Sequence, residues 1–166
     1  MDAGVNFSGR SRLPVILGAE AAECGLVSMA MIARYHGHDV DLKGLRQRFT
    51  VSMSGASLRS IMDLEDTLGF TTRALRVELD ALSQVQTPAI LHWDLNHFVV
   101  LKQVGRSTVT VHDPALGART LSLEAVSKHF TGVALERSPA KTFSKIKAKQ
   151  PTRLKHLWSR MVGFWP

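Results

Sequence analysis

The chain has 166 residues, 45% of them hydrophobic and 21% charged, which suits one folded domain with an appendage rather than a disordered chain. The formal charge is +7, but eight of the 21 Lys and Arg lie after Glu136 with no acid among them, leaving 13 basic against 14 acidic residues before that point. A near-neutral body excludes a basic nucleic-acid face, and the single cysteine, Cys24, excludes an internal disulfide.

Residues Met1 to Arg12 are polar and Gly/Ser-containing, and read as a loose arm without the apolar core of a signal peptide. No run of about 18 apolar residues occurs, so no membrane-spanning helix is expected. Leu13 to Leu17 is a short apolar lead-in. The stretch Ala22 to Tyr35 (AECGLVSMAMIARY) is apolar almost all round, the pattern of a helix buried in mid-domain. Glu20 and Glu23 suit its positive end, and His36-Gly37 marks its stop.

Further helices are expected over Leu42 to Arg48 and Ser57 to Leu68, the second capped by Ser57 and ended by Gly69. After Gly69 the period changes from helical to alternating. Strands are expected over Thr71 to Val77, Pro88 to Trp93, His97 to Val104, Ser107 to His112, Arg119 to Leu121 and Gly132 to Glu136. Leu79 to Gln84 reads as a helical turn, and Leu123 to Phe130 as a short helix. Asp94, Leu95 and Asn96 form the turn before His97. Helices first and antiparallel strands afterwards imply an α+β domain over residues 13–137, with the boundary at Ser138-Pro139.

Cys24 stands at or near the start of the buried helix, where the helix field lowers a thiol's pKa. A lone cysteine is otherwise a small buried hydrophobe. Among the histidines, His36 and His38 flank Gly37 with too few ligands around them for a metal site. His129 and His156 read as surface residues. His92 reads as a core or edge histidine. His97 opens the run HFVVL at a strand mouth, where an imidazole can be held as a base. Asp113 follows the end of the next strand. A hairpin brings those two ends together, so Asp113 is expected within reach of His97 Nδ1.

The segment AEAAECGLVSMAMIARYHG resembles the cysteine motif of C39-type, bacteriocin-processing peptidases. NHFVVL resembles their histidine motif and VHDPALG their aspartate motif, in the same chain order, over about Leu13 to Arg137. The resemblance implies a papain-like fold and a cysteine endopeptidase at the N-terminus of a peptidase-containing ABC transporter. Cys24 would be the nucleophile, His97 the general base and acid, and Asp113 the orienting group. The substrate would be a precursor peptide cut after a double-glycine leader, taken as an amphipathic helix in an apolar groove for which Met53, Leu58 and Met62 are candidates. No cofactor is implied.

The family carries a glutamine six residues before the cysteine, whose amide helps to hold the oxyanion. Here that position is Gly18, leaving backbone groups such as the Cys24 N–H. Reduced turnover is therefore expected; the alternative is a catalytically impaired leader-docking domain. Residues 138–166 are basic and increasingly aromatic, with Trp158, Phe164 and Trp165 beside Lys155 and Arg160. They read as a linker toward the membrane at its cytoplasmic face. The chain contains no phosphate-binding Gly-rich loop, so an ATPase domain would lie elsewhere.

Overall fold

The computed structural model describes residues 12–49 and 55–139, and its secondary structure changes from helix to sheet at Gly69. Among these residues there are four α-helices and six strands. A 3-10 turn, Ala21–Glu23, leads directly into α1, Cys24–Tyr35. Every residue of α1 from Cys24 to Ala33 is buried, as its unbroken apolar surface requires. It stops at His36 and at Gly37, whose φ of 87° suits glycine. Helix α2, Leu42–Arg48, is capped by the Asp41 carboxylate. Helix α3, Leu58–Thr67, is capped by the Ser57 hydroxyl, which accepts from the Ser60 N–H.

The strands are β1 (Phe70–Arg76), β2 (Ala89–Trp93), β3 (His97–Val104), β4 (Thr108–Asp113), β5 (Gly117–Ser122) and β6 (Phe130–Pro139). They form one antiparallel sheet in the order β1-β6-β2-β3-β4-β5. Helix α4, Leu123–His129, joins β5 to β6, and a 3-10 turn, Leu79–Gln84, joins β1 to β2. The expected α+β division is what the chain adopts, with ends differing by a few residues. The last strand is the main exception: it runs from Phe130 to Pro139, through the boundary expected at Ser138.

Both faces of the sheet are covered, which explains why β2 and β3 read as continuous apolar runs. On the first face, Ile90, Phe98, Val100 and Leu135 join α1, α2 and α3 in one core. On the second, Leu91, Trp93, Val99, Leu101, Val109, Val111 and Ala134 pack with Leu82 and Val126. The alternation along each strand thus supplies two cores.

Two features hold the helical layer close. An added Cβ on Gly25 would lie 2.8 Å from Ile61 Cδ1 and 3.0 Å from the Ala56 Cβ, so only glycine permits this approach of α1 to the α3 region. Arg137 on β6 and Glu65 on α3 form an ion pair with both side chains fully buried. The Thr72 hydroxyl donates to the same carboxylate at 2.6 Å, and the guanidinium lies 5.8 Å from the centre of the Phe70 ring. Burial pulls the Arg137 pKa down to about 10 against the pull of Glu65. Arg137, which by charge alone heads the basic stretch, is therefore a core residue. His36 and His38 pack around the same Phe70 ring, and burial lowers the pKa of both.

Met53 and nearly all of the expected arm 1–12 and linker 138–166, including His156, lie outside the described residues. No helix among the described residues is long and apolar enough to cross a membrane.

Candidate active site

Cys24 enters from the helix on the first face of the sheet. His97 and Asp113 come from the strands: His97 shares its alternation with Val99 and Leu101, and Asp113 with Val109 and Val111. Strands β3 and β4 pair with Val100 opposite His112, which brings Asp113 beside the mouth of β3. The three groups meet at that end of the strands. They lie by a cavity of about 620 Å³ whose walls include Ala22, Trp93, Asn96, His97, Asp113 and His129.

His97 Nε2–H donates to Asp113 Oδ1 at 2.9 Å. The ring nitrogen in use is therefore Nε2, not the Nδ1 that hairpin geometry alone suggested. With Nε2 committed to Asp113, Nδ1 is the ring nitrogen left to serve the sulfur, and Cys24 contributes to the raised His97 pKa. Asp113 Oδ1 also accepts from the Ala115 N–H at 2.8 Å, and Arg119 Nη1 lies 3.8 Å from Oδ2. Burial would raise the Asp113 pKa, but the bonds from His97 and Ala115 hold it below the ordinary carboxylate value. Asp113 and then Cys24 raise the His97 pKa to about 9, against a smaller opposing effect of burial. The imidazole is thus an imidazolium at neutral pH beside an almost buried sulfur.

The sulfur lies 4.0 Å from the Asn96 carbonyl oxygen, which can accept from the thiol. The Cys24 backbone N–H already donates to the Ala21 carbonyl within the 3-10 turn. Cys24 therefore stands one turn inside the helical segment, and its N–H is not the open oxyanion donor expected from the sequence.

Gly18 reaches the site on a segment strapped along the sheet end. His112 Nδ1–H donates to the Pro14 carbonyl at 2.9 Å, and the Gly18 N–H donates to the Pro114 carbonyl at 2.9 Å. Farther along, Arg46 grips the Glu23 carboxylate at 2.6 and 2.8 Å, and Glu23 accepts from the Ala19 N–H at 3.3 Å. An added Cβ on Gly18 would make only ordinary contacts, at 3.5 Å with Glu20 O and Val27 Cγ2 and 3.8 Å with Pro114 O. The position has room for a side chain.

Other expectations fall elsewhere. Leu58 and Met62 are half-buried against the first core and do not line this cavity. His92 is half-buried on β2, an interior strand, with Nδ1 2.8 Å from the Thr131 hydroxyl. His129 is at the surface, as expected, with its side chain 41% exposed, but it also lines the cavity, stacks on Trp93 and bonds to Asp94 at 2.7 Å. Sequence spacing missed the Asp94 contact because it joins residues 35 positions apart. Among the described residues no cluster of His, Cys, Asp and Glu is suited to a metal ion.

The chain is similar to known proteins over most of its length. The Peptidase C39 family profile matches residues 12–142. The colicin V secretion/processing ATP-binding protein CvaB of Escherichia coli is 45% identical over 92% of the chain and 22% of its own length. The probable microcin-H47 secretion/processing ATP-binding protein MchF, also of Escherichia coli, is 48% identical over 81% of the chain and 19% of its own. The chain thus spans about a fifth of the length of these relatives. Among solved structures, a double glycine motif protease from an AMS/PCAT transporter, crystallised with the leader peptide, superposes with a TM-score of 0.74. It is 33% identical and covers 81% of this chain and 96% of its own. The peptidase domain of Streptococcus ComA shares the fold at a TM-score of 0.71 and 21% identity, over 77% and 99% of the two chains. The fold is that of a papain-like cysteine peptidase, and the chain belongs to the peptidase C39 family.

Proposed function

We propose that this chain is the leader-cutting endopeptidase of a peptide exporter, with Cys24 as nucleophile. The observation that carries the reading is the relay Asp113–His97–Cys24, in which an ionised carboxylate holds an imidazolium against a nearly buried sulfur. The Cys24 thiolate attacks the carbonyl carbon of the second glycine. His97 then gives its proton to the departing amine, the C–N bond breaks, and a thioester to Cys24 remains. Neutral His97 takes a proton from water, which attacks the thioester and releases the leader as an acid, returning the proton through His97 to the pair. Asp113 fixes the ring and stays ionised throughout.

The weak point is the oxyanion. Gly18 has no side chain to offer, and the Cys24 N–H is engaged with Ala21. Loss of one donor costs roughly 10²–10³ in turnover, so a slow enzyme is the consequence.

The double-glycine substrate is supported by the 33%-identical leader-bound protease and by relatives with processing and secretion roles. Transmembrane and ATPase domains would be partners in the full exporter. The basic, Trp-bearing segment 138–166 would approach the membrane from the cytoplasmic face. A leader groove near α3, using Leu58, Met62 and Met53, belongs to the same proposal. The test is mass spectrometry of a synthetic double-glycine precursor incubated with the wild type and Cys24→Ala. Cleavage after the second glycine, lost in Cys24→Ala, supports the peptidase. Binding of the leader without cleavage by either protein would make the chain a docking domain.

A further inference from the structure

We propose that His129 is a positioning residue, which locks the Asp94–Asn96 turn and through it sets the geometry of the Cys24–His97 pair. The proposal rests on the peptidase reading above. The turn carries two groups at the sulfur: the Asn96 carbonyl, 4.0 Å from Sγ, and His97, the first residue of β3. Its backbone is unusual, with φ of 48° at Asp94 and 64° at Leu95, although neither is glycine. A leucine in the left-handed region has no local preference to stay there. Leu95 is also 81% exposed, so burial of its side chain does not hold it.

His129, at the end of α4, holds the turn in three ways. Its carbonyl accepts from the Asp94 N–H at 2.9 Å. Its Nδ1–H donates to the Asp94 carboxylate at 2.7 Å. Its ring stacks on Trp93, nearly parallel at 12° and with centroids 5.5 Å apart. Trp93 is in turn paired with His97 across the β2–β3 hairpin and with Phe130 on β6. The imidazole that must meet Cys24 is therefore mounted on a turn whose strained conformation α4 secures. A turn released from His129 samples other backbone conformations, and His97 and the Asn96 carbonyl move with it.

Three substitutions separate the contacts. His129→Ala removes ring and donor. His129→Asn keeps a donor near the Nδ1 position but loses the stack. His129→Phe keeps the ring and loses the donor. Two rates are measured on each: cleavage of a double-glycine precursor, and alkylation of Cys24 by iodoacetamide without substrate. His129→Ala is expected to lower kcat and the alkylation rate together by about tenfold, the scale of one lost hydrogen bond to a charged group, with KM little changed. Both partial variants are expected to recover part of each rate. A fall expressed in KM alone, with alkylation unchanged, would overturn the proposal and make His129 a substrate contact. Wild-type rates in all three would make it a surface histidine. Should His129→Ala fail to fold, His129→Asn and Asp94→Asn carry the same two readouts. A wild-type thiol no faster than free cysteine at neutral pH would sink this proposal together with the peptidase reading. Fast, His129-dependent alkylation without cleavage would uphold it and remove only the double-glycine substrate.

Discussion

His97 presents Nε2 to Asp113 at 2.9 Å and leaves Nδ1 on the side away from the carboxylate. This choice of nitrogen decides the pH behaviour. The folded-state pKa of His97 is raised from 6.5 to about 9, so its ion pair with Asp113 persists through neutral pH and is lost as pH rises through about 9. Its contribution to stability follows the same sign, complete below the ordinary histidine value and gone on the alkaline side. A kcat/KM profile should therefore fall above pH 9. In Asp113→Asn the largest cause of the raised pKa is removed, and the alkaline limb should move down toward the ordinary histidine value. A limb that stays at pH 9 in that variant would contradict the assignment.

Gly18→Gln should raise turnover. The site accepts a Cβ without a clash, and the backbone there is already fixed through the Pro114 carbonyl. If the missing amide is the defect, kcat should rise by roughly 10²-fold with KM nearly constant, the pattern of a donor used only in the transition state. Steady-state kinetics on one precursor peptide check this.

Glu65→Ala should destabilise the fold by about 3–5 kcal/mol, because it leaves Arg137 buried and unpaired. Replacing both partners with apolar residues of similar volume, as in Glu65→Leu with Arg137→Met, should recover most of that loss. Urea unfolding of the single and double variants gives the comparison.

Gly25→Ala should cost about 1–3 kcal/mol through overpacking against Ile61, whose Cδ1 would lie 2.8 Å from the new methyl. Ile61→Val removes that atom, and the double variant should be more stable than the sum of the two losses predicts. Denaturant midpoints decide it.

Most of the fold was legible because helix and strand periods change sharply at Gly69, and because Ser57, Gly37 and Gly69 are caps with plain chemistry. The three residues of the candidate relay were legible for a different reason: each lies at the end of an element, and a hairpin must bring strand ends together. What local pattern could not reveal is long-range pairing. Arg137 reads as the first charge of a basic stretch, and only the fold joins it to Glu65, 72 positions earlier. His129 looks like a helix-surface residue until α4 is set beside the Asp94 turn. The bond to Asp113 was expected at Nδ1 and is made by Nε2, because chain order says that two groups meet but not which ring nitrogen they use. The Cys24 N–H was expected to be free because the 3-10 turn ahead of α1 has no sequence signal distinct from the helix itself.

The proposed function requires that Cys24 be the nucleophile and that the site select a double glycine. The most direct test is intact-mass analysis of the protein with a synthetic leader ending in a Gly-Gly aldehyde, which traps a nucleophilic thiol as a thiohemiacetal. One equivalent should bind, with binding lost in Cys24→Ala and absent with the same leader ending in a Leu-Leu aldehyde. Adduct in Cys24→Ala, or equal labelling by both aldehydes, would contradict it.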